Sequence, residues 1–269
     1  MGQVWMVWMA WFGCSTHVPA GSTVDTVVRY QVEISGDFGA ITVEEPGVPL
    51  QPASTVSLSL LLRLEPSRQF RDGSYARLVY VDGAKLTQDS EEKSLDMSLE
   101  LQGRTVELRT FPDGEILDVS WGEKVAGQGR YLDVFEVVFP AISPSAPTIS
   151  EGQTVQRRII WPFRDANELR WDNIVDAVWQ NHGRSAEGET DSWDLSYSGA
   201  WGTEGRTRRS EPKQTFRANG QAEGTLSFER RSAELLEHQF MWHREVVVEG
   251  ATGVVTQQQR FSGRVERIR

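Results

Sequence analysis

The sequence predicts a mainly β protein: a large curved antiparallel sheet, or two such sheets, in a half-barrel, an open barrel or a sandwich, with few short helices. Apolar and polar residues alternate along many segments of the 269-residue chain, and Gly, Pro, Asn and Asp separate these segments as turns separate strands. A single cysteine cannot form a disulfide within the chain. An ordinary apolar core must therefore stabilise the domain.

Residues 24–139 form an N-terminal half of strands joined by tight turns. The alternating segments are Val28 to Ile34, Val56 to Leu64 and Tyr75 to Val81, the last closed by a turn at Asp82-Gly83. Residues 95–121 predict a three-stranded meander, because turn sequences at 102–104 and 112–114 fall where hairpins need them.

A short helix and a connector separate the two halves. Tyr131 to Phe139 places Leu132, Phe135 and Phe139 on one helical face, and we expect this helix to stop at Pro140. Residues 140–153 are rich in proline and show no alternation. They predict an ordered connector between two β halves, which either pack as one domain or form two units.

Residues 154–269 form the C-terminal half. Asn167 to Asn181 fits helical spacing, but its Ile, Val and Trp residues prefer strands and also alternate. We favour a strand paired in a hairpin with Trp193 to Tyr197, and a loop from Gly199 to Lys213. The other predicted strands are Gln153 to Phe163, Gly224 to Arg230, Leu235 to Glu249 and Val254 to Val265, with a polar stretch at Thr256 to Arg260 suited to a sheet edge or a solvent face.

The first residues indicate export. Val4 to Phe12 is an uncharged apolar stretch too short to span a bilayer, and small Gly13 precedes Cys14. We interpret residues 1–13 as a signal peptide, Cys14 as a lipidation site and residues 14–23 as a flexible tether. The alternatives are an ordinary signal peptide and a buried apolar N-terminus. Lipid on Cys14 would anchor a water-facing body to a membrane.

Gly13-Cys14 resembles the bacterial lipobox, although Trp11 and Phe12 replace its usual aliphatic and small residues. Ser15 resembles the signal that sends lipoproteins to the outer membrane. The FPDG and FPAISPSAP segments, at 111–114 and 139–147, resemble a group of uncharacterised β-rich envelope lipoproteins. By architecture alone the chain also resembles half-barrel lipoproteins of the LolA and LppX kind, which implies a carrier of lipids or lipoproteins in the bacterial cell envelope.

Charge and motif content argue against several functions. The net charge of −10 and the pI near 5.0 make the chain a poor candidate for binding nucleic acid, since that partner needs a basic surface, and we expect none. The sequence has no zinc-protease, nucleophile-elbow, phosphate-loop or paired-cysteine motif. His238 and His243 lie five residues apart, on opposite faces of a strand, so they cannot readily share a metal ion. We therefore expect a non-enzymatic protein without a cofactor or metal.

Tryptophan is the most unusual ingredient, with ten in the chain. Trp161, Trp179, Trp193 and Trp201 are the candidate ligand-binding residues, as a platform for sugars or a wall of an apolar pocket; the alternative is that they are core aromatics. Three function classes stay open: a module that binds or carries a ligand, either an apolar one or a glycan; a binder of an envelope protein partner or assembly accessory; and, least favoured, an enzyme that uses only carboxylates. We favour a lipid-anchored envelope lipoprotein that binds an apolar ligand or a protein partner.

Overall fold

The fold is taken from a computed structural model. It describes residues 26–43, 52–90, 94–96, 101–111, 115–121, 132–144, 148–164, 169–185, 191–207, 215–230, 232–250 and 253–268. The predicted signal peptide, the lipidation site Cys14 and the tether lie outside the described residues.

Long strands dominate the described chain. They are β1 Val28–Phe38, β2 Thr42–Val43, β3 Ser54–Leu64, β4 Arg68–Gln69, β5 Tyr75–Ser90, β6 Ser94–Asp96, β7 Thr105–Thr110, β8 Ile116–Trp121, β9 Thr154–Arg164, β10 Leu169–Ser185, β11 Ser192–Thr207, β12 Thr215–Glu229, β13 Leu235–Gly250 and β14 Gly253–Ile268. One helix, α1 at Leu132–Ile142, lies between β8 and β9. The predicted fold class, mainly β with few short helices, is confirmed.

All the strands belong to one antiparallel sheet in the order β8-β7-β5-β3-β1-β14-β13-β12-β11-β10-β9, with β2, β4 and β6 as short additions. The two halves of the chain are joined where β1 pairs with β14, from Arg29 opposite Ile268 to Phe38 opposite Gln259. The end strands β8 and β9 lie next to each other. The sheet is therefore a nearly closed barrel, and both halves share one core.

Helix α1 lies against the inner face of this barrel, over β1, β13 and β14. Val137, Val138, Phe139, Ala141 and Ile142 are all buried. The expected stop at Pro140 is wrong, because the helix runs on to Ile142. A proline inside a helix costs about 3 kcal/mol, and burial of the apolar residues on both sides of Pro140 offsets this cost.

Three further predictions are corrected. Asp82-Gly83 is a β-bulge within the long strand β5, at the register shift opposite Leu61 and Leu62, and not a turn. The predicted meander is wrong in its first strand, because β7 pairs with β5 and β8, while residues 97–100 lie outside the described chain. Gly199 onward is not a loop, since β11 continues to Thr207. Residues 169–181, by contrast, belong to the favoured hairpin of β10 and β11, and residues 167 and 168 lie outside the described chain.

The polar stretch in β14 is neither an edge nor a purely solvent-facing segment. β14 lies between β1 and β13 in the middle of the sheet. Gln259 is buried and points to the interior, where its side chain binds Arg244. Gln259 therefore belongs to a polar cluster inside the barrel.

Two glycines let aromatic rings lie close over the inner face of the sheet. A Cβ atom at Gly224 would lie 2.7 Å from the ring of Tyr197, and one at Gly263 would lie 2.5 Å from the ring of Phe240. Tyr197 is paired with Gly224, and Phe240 with Gly263, on neighbouring strands. The glycines thus provide the space in which the aromatic part of the core is assembled.

Candidate ligand-binding site

The four candidate tryptophans are all buried: Trp161 is 4%, Trp179 2%, Trp193 3% and Trp201 1% exposed. Strands β9, β10 and β11 carry them at inward positions, where aromatic residues alternate with polar ones. These rings therefore form part of the inner wall of the barrel. Their burial does not favour a surface platform for sugars.

Trp161 and Trp201 belong to a ring cluster that also contains Trp242. The ring centroid of Trp161 lies 6.4 Å from that of Trp201 and 5.7 Å from that of Trp242. The ring centroids of Trp201 and Trp242 are 5.4 Å apart. Trp179 stacks instead on Tyr197, with centroids 4.8 Å apart. Trp193 lies apart from both groups, beneath the guanidinium group of Arg230.

Trp161 and Trp179 share a small interior cavity. Its volume is about 30 Å³, which is enough for a water molecule or a small polar group. The other lining residues are Pro140, Pro144, Ile159, Val175, Tyr197, His238 and Trp242. The structure thus brings together two of the four predicted residues and adds Tyr197, His238 and Trp242, which the sequence analysis did not assign to the site.

Tyr197, His238 and Trp242 form a buried hydrogen-bond chain. The indole N–H of Trp242 donates to the Tyr197 hydroxyl oxygen at 2.8 Å, and that hydroxyl lies 3.0 Å from Nε2 of His238. Nδ1 of His238 lies 2.9 Å from the carbonyl oxygen of Ala141 in α1. Because an indole can only donate and a carbonyl can only accept, the hydroxyl donates to Nε2 and the Nδ1–H donates to Ala141.

This hydrogen-bond chain holds the imidazole of His238 in its neutral form. Burial lowers the pKa of His238 to about 4, and the hydrogen bond to Ala141 opposes that shift in part. Burial also raises the pKa of the Tyr197 hydroxyl far above its ordinary value. Neither group is therefore placed to exchange protons near neutral pH. The arrangement holds α1 to the sheet and is not suited to acid–base catalysis.

Two buried donors in the cavity lining have no acceptor in the described part of the chain. They are the indole N–H groups of Trp161 and Trp179. Leaving a buried donor unpaired costs about 1–3 kcal/mol. The surface that these residues present to the cavity is itself apolar.

A polar cluster lies beyond the tryptophans, inside the barrel. Arg244 is 1% exposed. Its Nε donates to Gln259 at 2.9 Å, its Nη1 donates to Thr203 at 3.1 Å, and its guanidinium carbon lies 4.3 Å from the Trp201 ring centroid. Asn173 accepts from the Trp201 indole at 3.0 Å. The sequence did contain a signal for this cluster, because Arg244 occupies an inward position in the alternation that includes Trp242 and Val246.

The outer face of the sheet carries a second, larger depression of about 570 Å³. Its lining is mostly polar, with Ser196, Ser198 and Thr225, but Val178 and Met241 in it are about half exposed. This depression lies on the side of the sheet opposite to the tryptophan cavity.

Among the described residues, no three His, Cys, Asp or Glu side chains are grouped closely enough to hold a metal ion. The predicted separation of the two histidines is confirmed, since His238 is buried and His243 is exposed. Within the same residues, no helix combines the length and the apolar character needed to cross a bilayer.

Comparison with known proteins gives no assignment. No protein family and no curated protein matches the sequence. A solved structure titled "Asymmetric conductivity of engineered proteins" is similar at 8% identity and a TM-score of 0.21, and a variant of the Rh. blastica porin at 9% identity and a TM-score of 0.20. Each alignment covers 89% of this chain and 100% of the other. TM-scores this low do not establish a shared fold.

Proposed function

We propose that this chain is a non-enzymatic, lipid-anchored protein of the bacterial cell envelope whose barrel interior binds the acyl chain of an apolar ligand. The observation that carries this proposal is the position of α1. The helix fills an interior lined by apolar residues from both halves of the sheet. An interior of this kind, once vacated by the helix, is a closed apolar site.

The attachment of α1 is suited to displacement. Apolar contacts hold the buried part of the helix, and the hydrogen bond from His238 to Ala141 joins it to the sheet. One neutral hydrogen bond contributes only about 0.5–1.5 kcal/mol net. Apolar contacts are non-directional, so an acyl chain can replace much of what the helix side chains lose.

The helix also has the length of an acyl chain. Its 11 residues span about 16 Å at 1.5 Å per residue. An acyl chain of a bilayer lipid extends across half of a hydrocarbon core about 30 Å thick, or about 15 Å. The space that α1 occupies therefore matches one extended chain in length.

The location in the envelope is proposed from Cys14 and the tether that follows it. The polar outward positions of the strands support a water-facing body. In β1, for example, Arg29, Gln31, Glu33 and Asp37 lie on the outer face. Metabolic labelling with a palmitate analogue tests the anchor. We expect wild type to be labelled and Cys14→Ala not to be, and equal labelling of both would contradict the proposal.

Ligand binding is tested on the full chain with a pyrene-labelled dodecanoyl probe. The interior tryptophans lie close enough to a chain in the barrel to transfer excitation energy to pyrene, so we expect saturable sensitised pyrene emission. Lipid extraction of protein purified from native membranes, followed by mass spectrometry, should recover an acyl compound. Pyrene without an acyl chain is the control ligand, and Met241→Gln on the outer face is the control variant. Absence of both saturable emission and copurified lipid would overturn the proposal.

A second candidate function is binding of an envelope protein partner. It is favoured by the outer depression, where Val178 is 51% and Met241 47% exposed between polar residues. Cross-linking from this face in cells tests it. A partner captured by wild type and lost in Met241→Asp would support this function, and no specific partner would weaken it.

A further inference from the structure

We infer that the acyl ligand enters the barrel from the side, through the seam between β8 and β9 where the barrel closes. This inference rests on the proposed function and adds the route to its interior site. The seam is the exception in the described sheet. Every other pair of neighbours in the strand order is joined by a hydrogen-bonded ladder, whereas Cα atoms of β8 and β9 come within 8 Å of each other without one.

The direction and length of the two strands disfavour a ladder at the seam. Eleven strands follow one another in the order from β8 to β9, and each neighbouring pair is antiparallel. The first and the eleventh strand therefore run parallel, and parallel pairing is slightly less stable per residue. β8 also offers only 6 residues against the 11 of β9. The seam is therefore the junction at which the barrel opens most readily.

Burial changes abruptly between β10 and β9. Val155 and Ile159 of β9 point inward, because they pair with the buried Trp179 and Val175 of β10. Yet Val155 is 37% exposed and Ile159 is only partly buried. Tyr197, the next residue in the row of Val155 and Trp179, is buried as well, so the exposure of Val155 does not arise from the open end of the barrel. The interior is thus accessible along the β9 side of the seam and closed one strand further on.

Both sides of the seam carry apolar side chains. On β8, Val119 points inward, because it pairs with the buried Leu108. Val119 and Ile159 both pack against the core while remaining partly exposed. On the outer face of β9, Ile160 is 37% exposed. An acyl chain therefore keeps apolar contact from the outside to the core, and it breaks no ladder of the described sheet when it passes.

The same edge is unsuited to an added strand from a protein partner. Pro162 of β9 has no N–H to donate to a ladder. Arg157 pairs with the buried Ala177, so a charged residue occupies an inward position of this end strand. Proline and inward charges are features that protect sheet edges from strand addition. The seam therefore favours an apolar chain over a peptide strand.

The main contacts of α1 lie away from the seam. The helix packs against β1, β13 and β14, which occupy the middle of the strand order and hence the wall opposite to β8 and β9. Parting β8 from β9 leaves those contacts in place. Entry of the ligand and displacement of α1 are therefore separate steps, and the acyl chain replaces the contacts of the helix after it has passed the seam.

The test closes the seam with a covalent bridge in the full chain. Cys14→Ser removes the natural thiol, and Ser120→Cys in β8 with Ile160→Cys in β9 places one thiol on each side of the seam, at exposed positions. A flexible bis-maleimide then joins the two strands. The matched control is Ser35→Cys with Ser57→Cys, an exposed pair on the hydrogen-bonded strands β1 and β3.

Binding of the pyrene-labelled dodecanoyl probe is followed by stopped-flow emission. We expect the seam bridge to slow association and dissociation alike by at least about 10-fold and to change the Kd by less than about 2-fold, because blocking a route alters rates and not the bound state. The unbridged seam variant and the bridged control should match the Cys14→Ser protein.

An unchanged association rate in the bridged seam variant, or equal slowing in the bridged control, would overturn the inference and leave acyl binding intact. Absence of probe binding in wild type would instead remove the proposed function.

Hydrogen exchange in the wild type examines the seam without a bridge or a ligand. Every second N–H of β9 faces β8, whereas the N–H groups of β10 all face strands with which β10 forms ladders. We expect alternate amides from Val155 to Trp161 to exchange at least about 10-fold faster than their neighbours. Uniform protection along β9 would reveal a ladder with β8 and contradict the inference.

Discussion

The two halves of the barrel bury different chemistry on the same inner face. The half formed by β1, β3, β5, β7 and β8 presents mainly aliphatic side chains, such as Val32, Leu58, Leu60, Leu62 and Leu86. The half formed by β9 to β14 presents aromatic rings together with buried polar groups, such as Trp201, His238 and Arg244. The first half needs few interior hydrogen bonds, whereas the second depends on them.

This difference locates the candidate site. In the described chain, the buried side-chain nitrogens without a partner belong to Trp161, Asn173 and Trp179, all on β9 and β10. In the aliphatic half, the buried Tyr30 hydroxyl does find an acceptor, the Leu235 carbonyl, at 3.2 Å. Unmet hydrogen-bonding capacity is thus concentrated in the aromatic half, where a ligand can gain most from it.

The largest expected effect comes from removing one oxygen atom from the aromatic half. Tyr197→Phe keeps the ring but leaves the Trp242 N–H and His238 Nε2 without partners. Each unpaired buried group costs about 1–3 kcal/mol, so we expect a loss of about 2–6 kcal/mol in the free energy of unfolding. Urea denaturation measures it.

The matched change in the aliphatic half is Leu60→Met, which conserves volume and adds no hydrogen-bonding demand. Leu60 is 2% exposed, and a swap of this kind costs less than about 1.5 kcal/mol. Equal losses in the free energy of unfolding for Leu60→Met and Tyr197→Phe would contradict the proposed difference between the two halves.

Acidification should act next most strongly, through His238. The folded pKa is about 4, against 6.5 for the ordinary group, so between these values the unfolded chain binds more protons than the folded chain. The contribution of neutral His238 to the free energy of unfolding is therefore fully present above about pH 6.5 and decreases as the pH is lowered toward 4. The loss amounts to about 3 kcal/mol at pH 4 from this group alone.

The contribution of His238 is isolated by difference, because carboxyl groups titrate over part of the same range. His238→Gln should lose less stability between pH 6.5 and 4 than wild type does. The control is His182→Gln, on an exposed side chain that contacts Ser196 on the outer face. Parallel pH profiles for wild type and His238→Gln would show that His238 does not couple folding to pH.

The sequence is sufficient to predict the strands and their inward faces, because burial enforces alternation along each strand. It also identifies Trp161 and Trp179, which are rare, large and inward-facing. It cannot predict that these two share a cavity while Trp193 does not, since that depends on pairing between strands and on the position of α1. Nor does local preference reveal Pro140 within a helix or Asp82 as a bulge, where packing in the barrel outweighs the intrinsic tendency of each residue.

The smallest effect separates two tryptophans of the same core. Trp201→Phe removes a satisfied donor and replaces the indole beneath Arg244 by a smaller ring, so we expect a loss of about 2 kcal/mol in unfolding free energy. Trp161→Phe creates a similar void but also removes an unpaired donor, and these effects offset to within about 1 kcal/mol of wild type. Urea denaturation without ligand compares the two. If Trp161→Phe is the more destabilising, the Trp161 N–H has an acceptor in the free protein, and the contrast between the two indoles is contradicted.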